Sequence, residues 1–434
     1  MGKQTAPLAL VLCLIVPGLH AQSGSVTTYS KTEVTTYYDD TAKWVLGQTA
    51  SVTCTVSVPA SSSCDGDVVS AATYSSNAQL LTSKSYGKLQ QTLTYNTDGT
   101  VATVKDGNSN VISVSNWKRG IPQTISYPGS VSESAVVSDQ GWLTSVTDEN
   151  GYKTCYTYDG MGRITKVTYP SESTSGVCDT SAWNATTLVF EKVNSAEYGI
   201  PAGHWRQTVT TGNGKKIVYF DAMWRPLVTR EYDTANEAAT KRFQRFVYDW
   251  DGSTTFASYP GTSDGLSTGT WSEYDALGRP ISISQDSEQG LLATLTEYLP
   301  GFQIRVTNPR GTQTATQYQA WDRPTTEFPT GVTTYAGTDT AATVIARDAQ
   351  GEPTAITRRN SDGSVSLTRS YTYNANQELC RAVEPETGAT LYGYDAAGNL
   401  KWSAAGLPTD TACETNGTST TVAARRVDRS YDAR

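Results

Sequence analysis

Residues 151–170 read GYKTCYTYDGMGRITKVTYP, and the hexad Tyr158–Arg163 (YDGMGR) lies at their centre. An Asp followed three residues later by Gly suits a type I turn, in which the Asp side chain accepts the backbone N–H two residues on. The Gly takes the left-handed conformation that closes a hairpin at least cost. Thr154, Tyr156 and Tyr158 share one face of an alternating strand, and the β-branched and aromatic run after the hexad ends at Pro170. The stretch therefore predicts strand, tight turn, strand.

Echoes of this hexad recur along most of the chain, and YDALGR at 274–279 and YDAAGN at 394–399 are complete copies. A second turn signal lies between hexads, as at 148–151 and 308–311. Two strands and two turns sum to roughly 21 residues, which fits ordinary strand and loop lengths. The pattern predicts an all-β fold of repetitive antiparallel β-hairpins. The predicted structural turn residues are Tyr158, Asp159, Gly162, Tyr274, Asp275, Gly278, Tyr394, Asp395 and Gly398.

Composition excludes several classes of function. The net charge of −8 argues against nucleic acid, which requires a basic surface, and against anionic lipid. The 25 Tyr and 10 Trp in a chain that is only 37% hydrophobic indicate aromatic sheet faces rather than a helical core.

The N-terminus predicts a secretory signal peptide over residues 1–21. Lys3 precedes an apolar run from Ala6 to Val16, and Ala21 supplies a small residue before the cleavage point. The run is too short to span a bilayer, so the mature chain is predicted to have no transmembrane segment. Lipidation at Cys13 is the less favoured alternative, because Leu12 before it is not small.

Removal of the signal leaves six cysteines, an even number that suggests three disulfides in an exported protein. Fifteen pairings are possible. Pairing between sequence neighbours is the simplest, and it would join Cys54 to Cys64, Cys155 to Cys178 and Cys380 to Cys413.

The spacing of the hexads divides the chain after the signal peptide into a cap region, a repeat array and insertions within the array. Residues 22–89 lack clear hexads and predict an N-terminal cap of β structure and loops, with a flexible leader as the alternative. Residues 90–434 predict the repeat array. Insertions interrupt the array at about 171–211 and at about 404–425, and each is expected to be tied back by a disulfide.

The three complete hexads resemble the YD repeat of RHS proteins, which include bacterial polymorphic toxins, components of insecticidal toxin complexes and, more distantly, teneurins. The resemblance covers about residues 90–434. It implies a β-sheet that spirals into a hollow cocoon, here a partial shell, which in toxin members encloses a C-terminal toxic domain. No RHS core motif or divergent toxin domain follows the repeats, and the chain stops at Tyr431-Asp432-Ala433-Arg434, inside a hexad.

The function predicted on this basis is a secreted structural shell or scaffold of a toxin-delivery or cell-surface system, located in the periplasm or outside the cell. Its predicted partners are a protein cargo or a further RHS-repeat chain, with glycan as another candidate. No catalytic, cofactor-binding or metal-binding residues are predicted, because most of the acids occupy turns and His204 is the only histidine after the signal. The alternative is an extracellular carbohydrate- or protein-binding module, for which Trp183, Trp205 and Trp271 should be exposed in a cleft.

Overall fold

The computed structural model describes residues 30–58, 64, 66–319, 325–337 and 339–433. The predicted signal peptide and Cys13 lie outside these residues. Within them the chain forms a 31-stranded antiparallel sheet with two single-turn helices. Each strand pairs with its neighbours in sequence, from β1 with β2 to β30 with β31. The predicted fold class, an all-β fold of repetitive antiparallel β-hairpins, is confirmed.

The elements are β1 Ser30–Asp40, β2 Val45–Val58, β3 Val68–Tyr74, β4 Leu80–Ser85, β5 Lys88–Tyr95, β6 Val101–Lys105, β7 Val111–Ser115, β8 Thr124–Tyr127, β9 Val131–Val137, β10 Leu143–Thr147, β11 Lys153–Tyr158, β12 Ile164–Thr168, β13 Thr186–Lys192, β14 Trp205–Thr211, β15 Gly214–Phe220, β16 Pro226–Asp233, α1 Glu237–Thr240, β17 Arg242–Tyr248, β18 Thr254–Ser258, β19 Gly269–Tyr274, β20 Pro280–Ser287, β21 Gly290–Leu299, β22 Gln303–Thr307, β23 Gln313–Tyr318, β24 Pro329–Ala336, β25 Asp339–Arg347, β26 Pro353–Asn360, β27 Ser366–Tyr373, β28 Leu379–Glu384, β29 Gly388–Tyr394, β30 Leu400–Leu407, α2 Thr420–Ala423 and β31 Arg426–Asp428.

The connections alternate between two edges because every strand reverses direction. One edge, called the hexad edge here, carries the Tyr-Asp turns such as 159–163, 275–279 and 395–399. The opposite edge carries the second class of turn, such as 106–110 and 148–152. All Tyr-Asp turns therefore form one row.

A sheet one layer thick buries few side chains completely. Most strand residues are half-buried on both faces. Fully buried hydrophobic residues gather in small clusters: Ala389, Leu391, Trp402, Ala404, Leu407 and Val422 near the C-terminus; Ile200, Ile217, Tyr219, Val228 and Phe243 in the middle; and Cys54 and Cys64 with Ala349. The last cluster joins residues almost 300 positions apart in sequence.

Regular pairing begins earlier than the predicted boundary at residue 90. The β3–β4 turn already has the hydrogen bonds of a hexad turn, since Ser75 N–H bonds to Gln79 O and Ala78 N–H to Ser75 O. The Ser75 hydroxyl accepts the N–H groups of Asn77 and Gln79, which is the task of Asp elsewhere. The repeat was not visible here because Ser replaces the Asp that marks it.

The interruption predicted at about 171–211 contains β13 and β14, which pair over their full lengths from Thr186–Thr211 to Lys192–Trp205. Only the loops before β13 and after it leave the sheet. In the second interruption, β30 continues to Leu407, and a loop and α2 then precede β31.

Candidate functional site

The Asp159 carboxylate holds its turn together from both oxygens. Oδ1 accepts the N–H groups of Met161 (2.9 Å) and Arg163 (3.0 Å), and Oδ2 accepts Arg163 Nε (2.7 Å). The backbone closes around it, with Gly162 N–H on Asp159 O at 3.0 Å and Gly162 at φ +81°. The hydrogen bonds from Arg163 lower the pKa of Asp159, so the carboxylate stays ionised as the acceptor of the turn.

The same arrangement recurs at the other complete hexads. Asp275 accepts the N–H groups of Leu277 and Arg279, and the Arg279 side chain lowers its pKa. Asp395 accepts the N–H groups of Ala397 and Asn399. The closing glycines Gly278 and Gly398 have φ of +73° and +95°. Each acidic side chain is thus engaged in its own turn.

The hexad tyrosines connect neighbouring hairpins. The hydroxyl of Tyr158 donates to Leu143 O (2.6 Å), that of Tyr274 to Thr254 O and that of Tyr394 to Leu379 O (both 3.0 Å). In each case the acceptor is the first residue after the preceding hexad turn. The hexad tyrosines thus form a ladder of hydroxyl-to-carbonyl hydrogen bonds along the hexad edge.

Arginine at the end of a hexad adds a second link to the following repeat. The Arg225 guanidinium lies 4.6 Å from the centre of the Tyr248 ring, and Arg279 lies 3.9 Å from that of Tyr298. The first and last residues of adjacent hexads thus interact through a cation–π contact.

The sheet curves until its two edges meet, along a contact that we call the seam. There the opposite-edge turns 85–88 and 106–110 lie on the hexad turns 374–378 and 395–399. Asn108 Nδ2 donates to Asp395 Oδ2 (2.8 Å), and the Asn108 side-chain oxygen accepts Ala397 N–H (3.2 Å). Burial raises the pKa of Asp395, but the hydrogen bonds from Asn108 and Asn399 outweigh it and leave the pKa lowered.

The seam continues over two neighbouring hairpins. Lys88 forms an ion pair with Glu378, and the exposed fractions of the two side chains are only 13% and 15%. Asn376 Nδ2 donates to the backbone oxygen of Tyr86 at 2.7 Å. Further along, Gln350 Nε2 donates to Asp67 Oδ2 at 2.9 Å. The partners are separated by 283 to 290 residues, so one turn of the wound sheet takes about that length of chain.

Gly107 shows how closely the two edges approach. A Cβ built on it would lie 2.6 Å from the Ala396 carbonyl carbon and closer still to its oxygen. At the seam the third and fourth hexad positions are small or amide residues, such as Ala349-Gln350 and Ala396-Ala397. The size of the side chains at these two positions determines whether the opposite edge of the sheet can lie against a hexad turn.

Three disulfides tie the loops to the sheet, and they join Cys54 to Cys64, Cys155 to Cys178 and Cys380 to Cys413. The Cys155–Cys178 bond anchors the loop before β13 to β11. The Cys380–Cys413 bond anchors the loop after β30 to β28. Both insertions are therefore held against the sheet.

His204 is buried in the loop after β13, where its Nδ1 lies 2.9 Å from Pro201 O. Its Nε2 faces Glu197 at 3.4 Å without forming a hydrogen bond. Arg206 pairs with both Glu197 and Glu191, which fixes the loop. The ion pairs of Arg206 tie the loop around His204 to β13 and β14. Among the residues that the structure describes, no group of three His, Cys, Asp or Glu side chains is placed to hold a metal ion.

The three tryptophans that bear on a binding function differ in their surroundings. Trp205 stacks on Phe190 with ring centres 5.1 Å apart, and Trp271 packs on Phe256 at 5.0 Å. Trp183 is 53% exposed and lines a cleft with Tyr152 and Tyr169. Only Trp183 meets the expectation for a binding module.

The described residues form a single-layered antiparallel sheet with a row of Tyr-Asp turns along one edge. Residues 138–174 match the family described as RHS Repeat. The matched stretch contains the hexad Tyr158–Arg163, and the resemblance stated from the hexads is confirmed.

Teneurins are among its relatives. Teneurin-4 of Homo sapiens is 31% identical over 104 residues, and Teneurin-1 of Gallus gallus is 28% identical over 104 residues. Each alignment covers 19% of this chain and 4% of the teneurin. The chain therefore spans a small part of the length of these relatives.

Solved structures of toxin complexes are similar over more of the chain. The Photorhabdus luminescens Tc holotoxin pore gives a TM-score of 0.49 at 14% identity, over 77% of this chain and 18% of that chain. The TcdB2-TccC3-TEV crystal structure gives a TM-score of 0.34 at 11% identity, over 85% and 18%.

Proposed function

We propose that this protein is a secreted, non-catalytic wall segment of an RHS-type shell, which encloses or presents an effector together with another YD-repeat chain. The seam is the observation that carries the proposal. An edge of the early hairpins lies on an edge of hairpins nearly 290 residues later, and a ribbon that meets itself in this way winds into a wall rather than a flat sheet.

The free part of the hexad edge supports a second YD-repeat chain as partner. At the seam, Ala349 is 1% exposed under the opposite edge. Where the hexad edge is not covered by this chain, the turn positions carry Met161 (80% exposed), Trp250 (89%) and Leu277 (77%). A row of large exposed apolar side chains marks an interaction surface. Because the seam shows an opposite edge lying on a hexad edge, the partner proposed for this row is the opposite edge of another YD-repeat strip.

Location outside the cytosol is part of the proposal. The three disulfides support an oxidising compartment, in keeping with the predicted signal peptide. In the described residues, no helix has the length and apolar character needed to cross a membrane. The long β1–β2 hairpin belongs to the proposed N-terminal cap over residues 22–89, and it covers the edge of β3 by pairing with it.

A measurement of association between YD-repeat chains tests the proposal that this chain is a wall segment. Sedimentation velocity of the full chain, alone and mixed with the YD-repeat protein encoded nearest to it, should show a complex. Leu277→Glu places a charge on the hexad edge and should weaken association at least tenfold. Val136→Glu is the matched control, because Val136 is 51% exposed on a strand rather than at a turn. Absence of any complex, or equal binding by both variants, would contradict the proposal.

A binding module is the second candidate, and the exposed Trp183 in its cleft favours it. The two functions are compatible, because the cleft and the seam lie on different turns.

A further inference from the structure

A cleft of about 540 Å³ lies beside the loop that precedes β13. Its walls include Tyr152, Tyr169 and Trp183, whose side chains are 53%, 37% and 53% exposed. Three large aromatic side chains in one small cleft, all open to solvent, form a ready surface for a ligand. We call this feature the aromatic cleft.

The aromatic cleft is held in shape before any ligand arrives. The Cys155–Cys178 disulfide anchors its loop, and Gly176 N–H donates to Gly151 O at 2.9 Å. Ser171 N–H donates to Val177 O at 2.8 Å and closes the base of the loop. Because these bonds fix the loop, binding there orders few groups and loses little affinity to entropy.

The Tyr169 ring is fixed in the same way. Its hydroxyl lies 2.8 Å from the Thr186 hydroxyl, which in turn lies 2.6 Å from that of Thr211. The hydroxyls are thus engaged with the neighbouring strands, and the ring contributes its carbon surface to the cleft.

The remaining lining residues supply hydrogen bonds. Glu172 contributes an exposed carboxylate and Asn184 an exposed amide. The carboxylate accepts hydrogen bonds, and the amide both donates and accepts them. Glu172 is the one charged residue among these walls, so the cleft disfavours anions.

We propose that the aromatic cleft binds a neutral pyranose unit of a glycan. Aromatic faces carry negative charge density, and one face of a pyranose presents weakly positive C–H groups that stack on them. The hydroxyl groups at the sugar rim both donate and accept, as the rim of the cleft requires. A cleft of this size fits a small ligand.

A proline-rich peptide is the rival occupant, since such peptides also dock on aromatic surfaces. It requires an extended groove for a helix with three residues per turn. The lining of the aromatic cleft is instead local, since its residues belong to the turn 148–152, the loop 169–185 and the end of β14. The sugar is therefore the better fit.

This inference deepens the binding-module function and does not depend on the shell wall. The two can fail separately, because Trp183→Ala should leave association with a YD-repeat chain intact and Leu277→Glu should leave sugar binding intact. Comparison of both variants in both assays shows which proposal is wrong.

Titration calorimetry of the full chain with cellohexaose, hexa-N-acetylchitohexaose and mannohexaose tests the proposal. At least one of these neutral sugars should bind saturably, and Trp183→Ala should weaken that binding at least tenfold. Trp44→Ala is the matched control, because Trp44 is 85% exposed in the turn between β1 and β2 and does not line the cleft. Glu172→Gln should weaken binding without affecting the fold, as judged by the circular dichroism spectrum.

Three results would overturn the proposal. They are no binding of any of the three sugars, equal binding by wild type and Trp183→Ala, and preferential binding of a decaproline peptide. Unchanged thermal unfolding of Trp183→Ala ensures that a loss of binding reports the cleft and not misfolding.

Discussion

Gly107→Ala tests whether the seam holds the wound sheet closed. The φ angle of Gly107 lies outside the left-handed range, so alanine is allowed by the backbone at this position. The added methyl group would, however, lie 2.6 Å from the carbonyl carbon of Ala396 across the seam. The two edges must separate to admit it.

The expected cost follows from overpacking, which typically destabilises by about 1–3 kcal/mol. At roughly 1.4 kcal/mol per factor of ten, this raises the population of the open seam by about 5- to 150-fold. The contacts weakened most should be the hydrogen bonds between Asn108 and the turn at Asp395, and the Lys88–Glu378 ion pair.

Hydrogen–deuterium exchange measured by mass spectrometry resolves this effect. Peptides that cover 85–110 and 374–399 should exchange faster in Gly107→Ala, while those over 205–233 should not change. Gly160→Ala is the matched control, because its methyl group would meet nothing within 4 Å in a turn of the free hexad edge. Unchanged exchange on both sides of the seam in Gly107→Ala would refute the assigned contact.

Two further predictions concern the hexad itself. Tyr274→Phe removes the hydroxyl that donates to Thr254 O and should lower stability by about 0.5–1.5 kcal/mol, measured as the shift in the urea unfolding midpoint; an unchanged midpoint would show that the bond contributes nothing. The Arg279 side chain lowers the pKa of Asp275, so this carboxylate stabilises the folded chain above its unfolded pKa of about 3.9, and the contribution is lost as the pH falls through the lower folded value. In Asp275→Asn the fall in melting temperature on acidification should be smaller than in wild type, and parallel pH profiles would contradict this role.

The hexad turns could be predicted from sequence because their hydrogen bonds are local. Asp159 bonds to groups two and four residues ahead, and Gly162 is required by its positive φ. Both features therefore depend on residues of one short stretch of sequence. The antiparallel hairpin order follows from them, because each turn joins neighbouring strands.

The seam could not be predicted in the same way, because its partners are nearly 290 residues apart. A signal was nevertheless present in the hexads. Small residues fill the seam turns, as in Ala396-Ala397, whereas Met161 and Leu277 occupy equivalent positions of the free turns. The size of these residues indicates which hexad turns are covered. It does not indicate which opposite-edge turns cover them.

The strand β13 was missed for a related reason. It is followed by the loop around His204 instead of a hexad, so its alternating residues Thr186–Lys192 carry no turn signal. The aromatic cleft depends on this strand and on the Cys155–Cys178 bond, and Tyr152, Tyr169 and Trp183 are brought together only by the fold.

The strictly sequential strand pairing has a consequence for how the molecule assembles. Every hairpin forms from adjacent stretches of the chain, and each hexad tyrosine bonds to a residue of the preceding hairpin. The sheet can therefore fold hairpin by hairpin from the N-terminus. The seam must form late, because its two sides are brought into register only after the intervening hairpins are rigid. For the same reason we expect the seam to be the first contact to open. The seam can open locally while the strands of the sheet stay paired.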